Sequence, residues 1–206
     1  MRRLLELFCG TKSVSKVAEQ ENWEILSVDI MKKFQPDICC DILLWDYKQF
    51  PPGYFDFVWA SPPCIEFSKA KTIGVRNLEL ANKLVLKAKE IIHYFQPPYY
   101  CIENPVGLLR RQEHMANMIE YRKTVSYCKY GFAYQKNTDL WTNVPFEPLK
   151  CELPNQCAVK RATGKHPCTV QMGYRAGMPE IKGTTRMRER YSLPSLLVRD
   201  LLAAAE

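Results

Sequence analysis

Phe55-Asp56-Phe57-Val58-Trp59-Ala60-Ser61-Pro62-Pro63-Cys64 is the stretch that decides the fold of this chain. Its first six residues are rich in aromatic and β-branched side chains, the composition of a buried strand, and Ser61-Pro62-Pro63 then stops it. The prolines fix φ and remove two backbone donors, so the turn is stiff and Cys64 sits at the strand's carboxyl end. A cysteine placed there is a candidate nucleophile, because a thiolate is strongly nucleophilic and its surroundings can lower its pKa. The alternative is a buried structural cysteine.

The same kind of unit recurs on both sides of that stretch. Upstream, residues 3–8, 24–28 and 37–40 read as short strands, with a helix over 13–21 between the first two. Downstream, apolar residues at 78, 80, 81, 84, 85, 88, 91, 92 and 95 predict an amphipathic helix over 78–95. Strands at 99–102 and 124–128 follow. Strands alternating with helices imply a Rossmann-like α/β fold, a parallel sheet with helices on both faces. Ligands of such sheets gather outside the carboxyl ends of the strands.

Four further features at those ends carry chemistry. Leu7-Phe8-Cys9-Gly10-Thr11-Lys12-Ser13 is a strand-to-helix turn whose single glycine permits close backbone approach, or else an ordinary turn. Asp29 lies 19 residues after Gly10, the distance at which a Rossmann-type fold places an acid on ribose hydroxyls. Asp41 ends the next strand and can accept from an adenine amino group; both acids are equally suited to capping a helix or turn. Together with the glycine turn they favour an adenosine-bearing cofactor. Cys101-Ile102-Glu103-Asn104-Pro105 closes the fifth strand, and there Glu103 would neighbour Cys64, a carboxyl that can be protonated facing a nucleophile, or else a salt-bridged acid.

The composition bounds what surrounds this chemistry. The chain has 206 residues, 47% hydrophobic and 25% charged, in keeping with one globular domain and a small appendage. No apolar run approaches the ~18 residues of a membrane span. Glu6 interrupts the N-terminal apolar run where a signal peptide would continue it, so an intracellular, reducing compartment is expected, not secretion. The excess of 29 Lys+Arg over 22 Asp+Glu gives +7, compatible with a polyanionic partner. After Pro145 the periodicity stops, and residues 146–190 scatter Pro, Gly, Cys and basic residues before a short helix over 194–205. The expected division is therefore a catalytic domain over 1–145 and a basic, cysteine-containing extension over 146–206. Cys151, Cys157, His166 and Cys168, spaced C-x5-C-x8-H-x-C, are either a structural zinc site or unligated side chains. That division leaves one proposed nucleophile, three cysteines as possible metal ligands and five bystanders among the nine. A zinc deaminase is disfavoured, since no H-x-E precedes a P-C-x-x-C.

Taken in order, these residues resemble the C5-cytosine DNA methyltransferase family, especially its short phage- and virus-type members. LELFCGTKS resembles the family's first cofactor loop, Asp29-Ile30 its acidic ribose ligand and Cys40-Asp41-Ile42 its adenine-contacting segment. ASPPC resembles the Pro-Cys catalytic loop, and Ile102-Glu103-Asn104-Pro105 the Glu-Asn motif. Gln135-Lys136-Asn137-Thr138-Asp139-Leu140-Trp141-Thr142-Asn143 resembles the basic segment before a late strand. The resemblance implies S-adenosylmethionine as cofactor, held by Phe8, Cys9, Gly10, Thr11, Asp29, Ile30, Asp41, Ile42 and Pro62. It implies that Cys64 attacks C6 of a cytosine flipped out of DNA, that protonated Glu103 stabilises charge at N3, that Asn104 tethers the Cys64 loop, and that Lys136 steadies the base or a phosphate.

The sequence departs from the family in three places. Lys12 stands where members generally have glycine, a strain on the loop if that position needs φ > 0. Pro105 replaces the commoner valine. The large target-recognition domain of the long enzymes is absent, so Lys150, Lys160, Arg161, Lys165, Arg175, Lys182, Arg186, Arg188 and Arg190 would meet DNA instead, or form a solvated basic surface. Two other functions stay open: a catalytically degenerate nucleic-acid-binding relative, which Lys12 favours, and cytosine-C5 methylation of RNA. Amino-group methylation is less favoured, because those enzymes place an aromatic residue after Pro-Pro.

Overall fold

A computed structural model of the chain describes residues 1–151, 157, 159, 166, 168–169, 173–174 and 191–205. The elements run β1 (Arg3–Leu7), α1 (Ser13–Gln20), β2 (Glu24–Asp29), β3 (Ile38–Cys39), β4 (Phe57–Ala60), α2 (Leu78–Phe95), β5 (Tyr99–Pro105), β6 (Arg122–Ser126), β7 (Asn137–Thr142), β8 (Cys168–Thr169), β9 (Gly173–Tyr174) and α3 (Ser195–Ala203). The first seven strands form one sheet in the order β3-β2-β1-β4-β5-β7-β6, and β8 pairs with β9 in a separate antiparallel ladder.

Side chains along each central strand alternate between two cores, as the pleat requires. Leu4, Phe57, Trp59, Cys101 and Leu140 face α1 and α3, whose Val14, Val17, Leu197, Val198, Leu201 and Leu202 complete that core. Leu5, Leu7, Val58, Ala60, Ile102 and Trp141 face the other way, onto Val85, Ala88, Ile91 and Phe95 of α2. Helix α2 starts at Asn77, whose side chain accepts from the Leu80 N–H, and stops at Gln96 in a left-handed conformation. Helix α3 returns to α1, with Arg199 Nε 3.0 Å from Glu21 and the Leu193 N–H donating to Ser13 Oγ at 3.1 Å. Burying four aliphatic side chains there is worth roughly 1.5–3 kcal/mol apiece, far more than the exposed ion pair.

The sheet differs from the expected all-parallel one. β7 runs antiparallel to both β5 and β6. The connection from β6 to β7 is a single short helical turn, Tyr127–Tyr130, followed by Gly131 at φ 94°. A parallel return needs a crossover of roughly a dozen residues or more, so this chain reverses instead. The pairing with β7 also extends β5 beyond residue 102, placing Glu103 opposite Leu140 and Asn104 opposite Asp139. β6 ends at Ser126, so Tyr127 and Cys128 lie in the turn, not in the strand.

Candidate active site

The strand order changes direction between β1 and β4, where the loops leaving the two carboxyl ends diverge and an α/β sheet makes its site. The Ser61 N–H donates to the Leu7 carbonyl and the Cys9 N–H to the Val28 carbonyl, each at 3.1 Å, so the bases of three loops are stitched together.

The loop after β1 is shaped by backbone conformation. Phe8, Gly10 and Lys12 all have positive φ, at 57°, 47° and 57°. Only glycine adopts this region freely, and another residue is disfavoured there by roughly 1–2 kcal/mol; the strain expected of Lys12 is therefore present. Below the loop, buried Glu6 accepts hydrogen bonds from the Ser15 hydroxyl, the Ser15 N–H at 2.9 Å and the Val14 N–H at 3.4 Å. Burial pushes its carboxyl up to about 7 despite these donors. Thr11 Oγ1 lies 2.8 Å from Ser13 Oγ, and Lys16 Nζ donates to the Thr11 carbonyl at 2.9 Å.

Asp29 joins this loop to the next. Its Oδ2 accepts from the Gly10 N–H at 2.9 Å and its Oδ1 from the Met31 N–H at 2.7 Å. A carboxylate offers about four acceptor positions, so two remain for a diol such as a ribose. Ile30 beside it is 66% exposed, a bare apolar face. These two features fit an adenosine-bearing cofactor. Asp41 caps a turn, its Oδ1 accepting from the Leu43 N–H at 2.9 Å. Ile42 and Cys9 face inward, and burial pushes the Cys9 thiol up to about 12. Pro62 is buried in the turn before Cys64.

On the other side, β5 and the segment that follows it hold the Cys64 loop at two points. Asn104, fully buried, donates from Nδ2 to the Pro62 carbonyl at 3.0 Å. The Leu108 N–H donates to the Phe67 carbonyl at 2.8 Å. Cys64 thus sits between two tethers. Gly107 makes the second possible, because a Cβ there would come within 2.3 Å of the Phe67 carbonyl oxygen. Beyond the tethers, Glu66 accepts from Lys71 Nζ and the Asn77 N–H, which folds residues 66–77 back on themselves.

Glu103 is buried, and its Oε1 accepts from the Tyr127 hydroxyl at 3.0 Å. Lys136 Nζ lies 4.9 Å above the Tyr127 ring, and Ser61 also hydrogen-bonds the Glu103 side chain. Burial pushes both the Glu103 carboxyl and the Cys64 thiol up. The Lys136 charge pulls both down, and the Glu103 charge pushes the thiol up. Cys64, Glu103 and Lys136 therefore form one electrostatic group, with Asn104 behind it.

Sequence reasoning overlooked Gly107, Tyr127 and Ser61. Gly107 had a local signal, a glycine three residues after Asn104. Tyr127 had none, because only the β6–β7 reversal brings it to Glu103. The four expected metal ligands also rearrange: Cys128, counted among the bystanders, lies with Cys151, Cys157 and His166, all buried. Cys168 is in β8, and its side chain lies outside the described residues. Lys150 is exposed; Lys160, Arg161, Lys165, Arg175, Lys182, Arg186, Arg188 and Arg190 lie outside the described residues. Among the described residues, no helix is long and apolar enough to cross a membrane.

Residues 3–135 match the family model of C-5 cytosine-specific DNA methylases. A protein of Frog virus 3 (isolate Goorha) named "Probable DNA (cytosine-5)-methyltransferase" is 36% identical over a 217-residue alignment that covers 97% of this chain and 98% of that protein. The type II methyltransferase M.AgeI of Thalassovita gelatinovora is 27% identical over 158 residues, which span 63% of this chain and 36% of that enzyme. A crystal structure of an Escherichia coli prophage protein, assigned to DNA modification methyltransferases, superposes with a TM-score of 0.52 at 17% identity, covering 69% of this chain and 46% of the other. The last likeness establishes the methyltransferase fold.

Proposed function

The chain belongs to the C-5 cytosine-specific DNA methylase family, a class of S-adenosylmethionine-dependent enzymes, and from that membership we propose how its own residues methylate C5 of cytosine. The observation that carries the reading is the doubly tethered Cys64 beside a buried Glu103 and the Lys136 cation. C5 of cytosine becomes nucleophilic only after something adds to C6. The Cys64 thiolate makes that bond, while Glu103, whose protonated form burial favours, donates to N3 as charge develops there. Lys136 favours the thiolate. Asn104 and the Phe67 tether hold the thiol at its angle of attack. Loss of the C5 proton and of the Cys64 sulfur then restores the ring.

When bound, S-adenosylmethionine supplies the electrophilic methyl group for C5. Asp29 would hold its ribose, Ile30 its adenine face, and the Phe8–Thr11 turn its amino-acid end, with Pro62 closing the floor. The half-buried thiol, held in its loop, cannot reach C6 of a stacked base, so the target cytosine is flipped out of DNA. Residues 1–145 carry the chemistry, and the basic residues of 146–206 supply DNA contacts. The free cysteines suit a reducing, intracellular compartment.

Purified protein with labelled S-adenosylmethionine should yield 5-methylcytosine in duplex DNA and not in tRNA; the reverse preference would overturn the DNA assignment. Bisulfite sequencing of plasmid from expressing cells should show protected cytosines in a fixed context. The left-handed Lys12 favours a second reading, a non-catalytic DNA binder. Calorimetry separates the two, since measurable S-adenosylmethionine binding supports the enzyme and its absence supports the binder.

A further inference from the structure

Four side chains outside the catalytic group converge at the far edge of the sheet. Cys128, Cys151, Cys157 and His166 are 6%, 7%, 0% and 7% exposed. Their ligating atoms all lie within 4.8 Å of one another. His166 Nε2 is 3.8 Å from Cys151 Sγ and 3.6 Å from Cys157 Sγ. Metal–ligand bonds of ~2.3 Å to sulfur and ~2.0–2.1 Å to nitrogen, at tetrahedral angles, require ligand separations of about 3.6 Å for S···N and about 3.8 Å for S···S. The two separations from His166 match this S···N requirement to within 0.2 Å, and the four ligating atoms lie within 4.8 Å of one another.

We propose that Cys128, Cys151, Cys157 and His166 bind one structural zinc ion, which fastens the start of the C-terminal extension to the turn that follows β6. Three thiols and an imidazole suit a closed zinc site better than an open catalytic one. On binding, each cysteine releases its proton to solvent and the imidazole gives its Nε2 lone pair, so the filled site carries a net charge of −1.

Two further observations support the assignment. First, the local apolar cluster among the described residues contains only Cys128, Cys151 and Cys157, with Val159 packed against it. So small a cluster contributes little burial, and an ion would supply what the side chains lack. Second, the backbone is arranged to bring two distant cysteines together. The Cys151 N–H donates to Ser126 Oγ, the Ser126 N–H to the Leu149 carbonyl, and the Leu149 N–H to the Tyr130 hydroxyl, each at 3.0 Å. This lays residues 149–151 along the chain that carries Cys128. The neighbour of Cys128 is Tyr127, whose hydroxyl meets Glu103, so the ion would stiffen the wall of the active site as well.

The ligand set is C-x22-C-x5-C-x8-H, and it takes Cys128 in place of the Cys168 that spacing alone suggests. The test uses the full chain, purified without chelator and analysed by elemental mass spectrometry. About one zinc per chain is expected. Cys128→Ser and Cys157→Ser should lose it, while Cys168→Ser and Cys39→Ser keep it. Cobalt(II) added to the metal-stripped wild-type chain should give a tetrahedral spectrum whose charge-transfer intensity corresponds to three thiolates. That readout needs no variant to fold. Absence of retained zinc together with an octahedral cobalt spectrum would overturn the proposal. So would a disulfide among these cysteines on non-reducing peptide mapping, or retention of zinc by Cys128→Ser with its loss from Cys168→Ser.

Discussion

The loop after β4 and the loop after β1 leave the same edge of the same sheet in the same direction, yet they are fixed by different chemistry. The Cys64 loop is held by partners from the neighbouring strand and the turn after it, with Asn104 on the Pro62 carbonyl and the Leu108 N–H on the Phe67 carbonyl. The Phe8–Ser13 loop is pinned to β2 at Cys9 and Gly10, but its course is set by its own backbone, with three left-handed residues over a buried Glu6. A nucleophile must approach one carbon along one line, so its loop is fixed against the strand that also carries the acid. A cofactor loop must present N–H groups and follow a ligand's outline, which a strained turn can do. Mutations in the first loop should therefore reduce turnover and spare cofactor affinity; mutations in the second should alter affinity and stability first.

The largest expected effects lie in the Cys64 loop and in β5 and the segment after it, which hold that loop. Cys64→Ser should reduce methyl transfer by about a thousandfold or more, and Glu103→Gln by about 10²–10⁴-fold, with S-adenosylmethionine affinity unchanged by calorimetry. Gly107→Ala should cost about a hundredfold in kcat, because its new Cβ must displace the Phe67 carbonyl and with it Cys64. If Gly107→Ala weakened cofactor binding as much as turnover, the two loops would be one mechanical unit and the contrast would fail.

Lys136→Met probes the electrostatic link. Lys136 lowers the Cys64 pKa, so its removal raises that pKa and leaves less thiolate at neutral pH. Single-turnover rates near neutrality should fall in proportion to the thiolate lost, about tenfold for a loss of 1.4 kcal/mol of charge stabilisation. The rising limb of the pH–rate profile should move to higher pH. The same change raises the Glu103 pKa and keeps the acid protonated to higher pH. A rising limb that stays in place would remove Lys136 from the group.

The smallest effect belongs to the cofactor loop. Lys12→Gly should relieve a left-handed lysine and stabilise the protein by about 1 kcal/mol, or about 2–4 °C in Tm for a chain of this size. Its kcat should stay within about twofold, since no catalytic group moves. A large rise in kcat would mean that Lys12 restrains the chemistry, contrary to the separation of the two loops.

How much of this was legible in the sequence follows from range. Pro62-Pro63-Cys64 and Glu103-Asn104 were readable because their chemistry is local: a breaker, a strand end, an acid and an amide at fixed positions. The short apolar runs of β1, β4 and β5 exposed the sheet for the same reason. The reversal of β7 was not readable, since strand direction depends on the length of a connection and not on a pattern within it. Tyr127 and Cys128 were hidden by that reversal, which carries one to Glu103 and the other to Cys151 across 23 positions of sequence. Spacing within the extension suggested Cys168 because a metal site read from sequence favours neighbours, whereas the fold supplies Cys128 from the sheet.

The central claim, that Cys64 bonds to C6 of a cytosine in DNA, is tested most directly by trapping. Fluorine at C5 cannot leave as the proton does, so duplex DNA containing 5-fluorocytosine should hold the enzyme in a covalent adduct once S-adenosylmethionine is present. Peptide mapping should place that adduct on Cys64, with one transferred methyl group per adduct. Methylated product from ordinary DNA without any trapped species, or an adduct that persists in Cys64→Ser, would contradict the account.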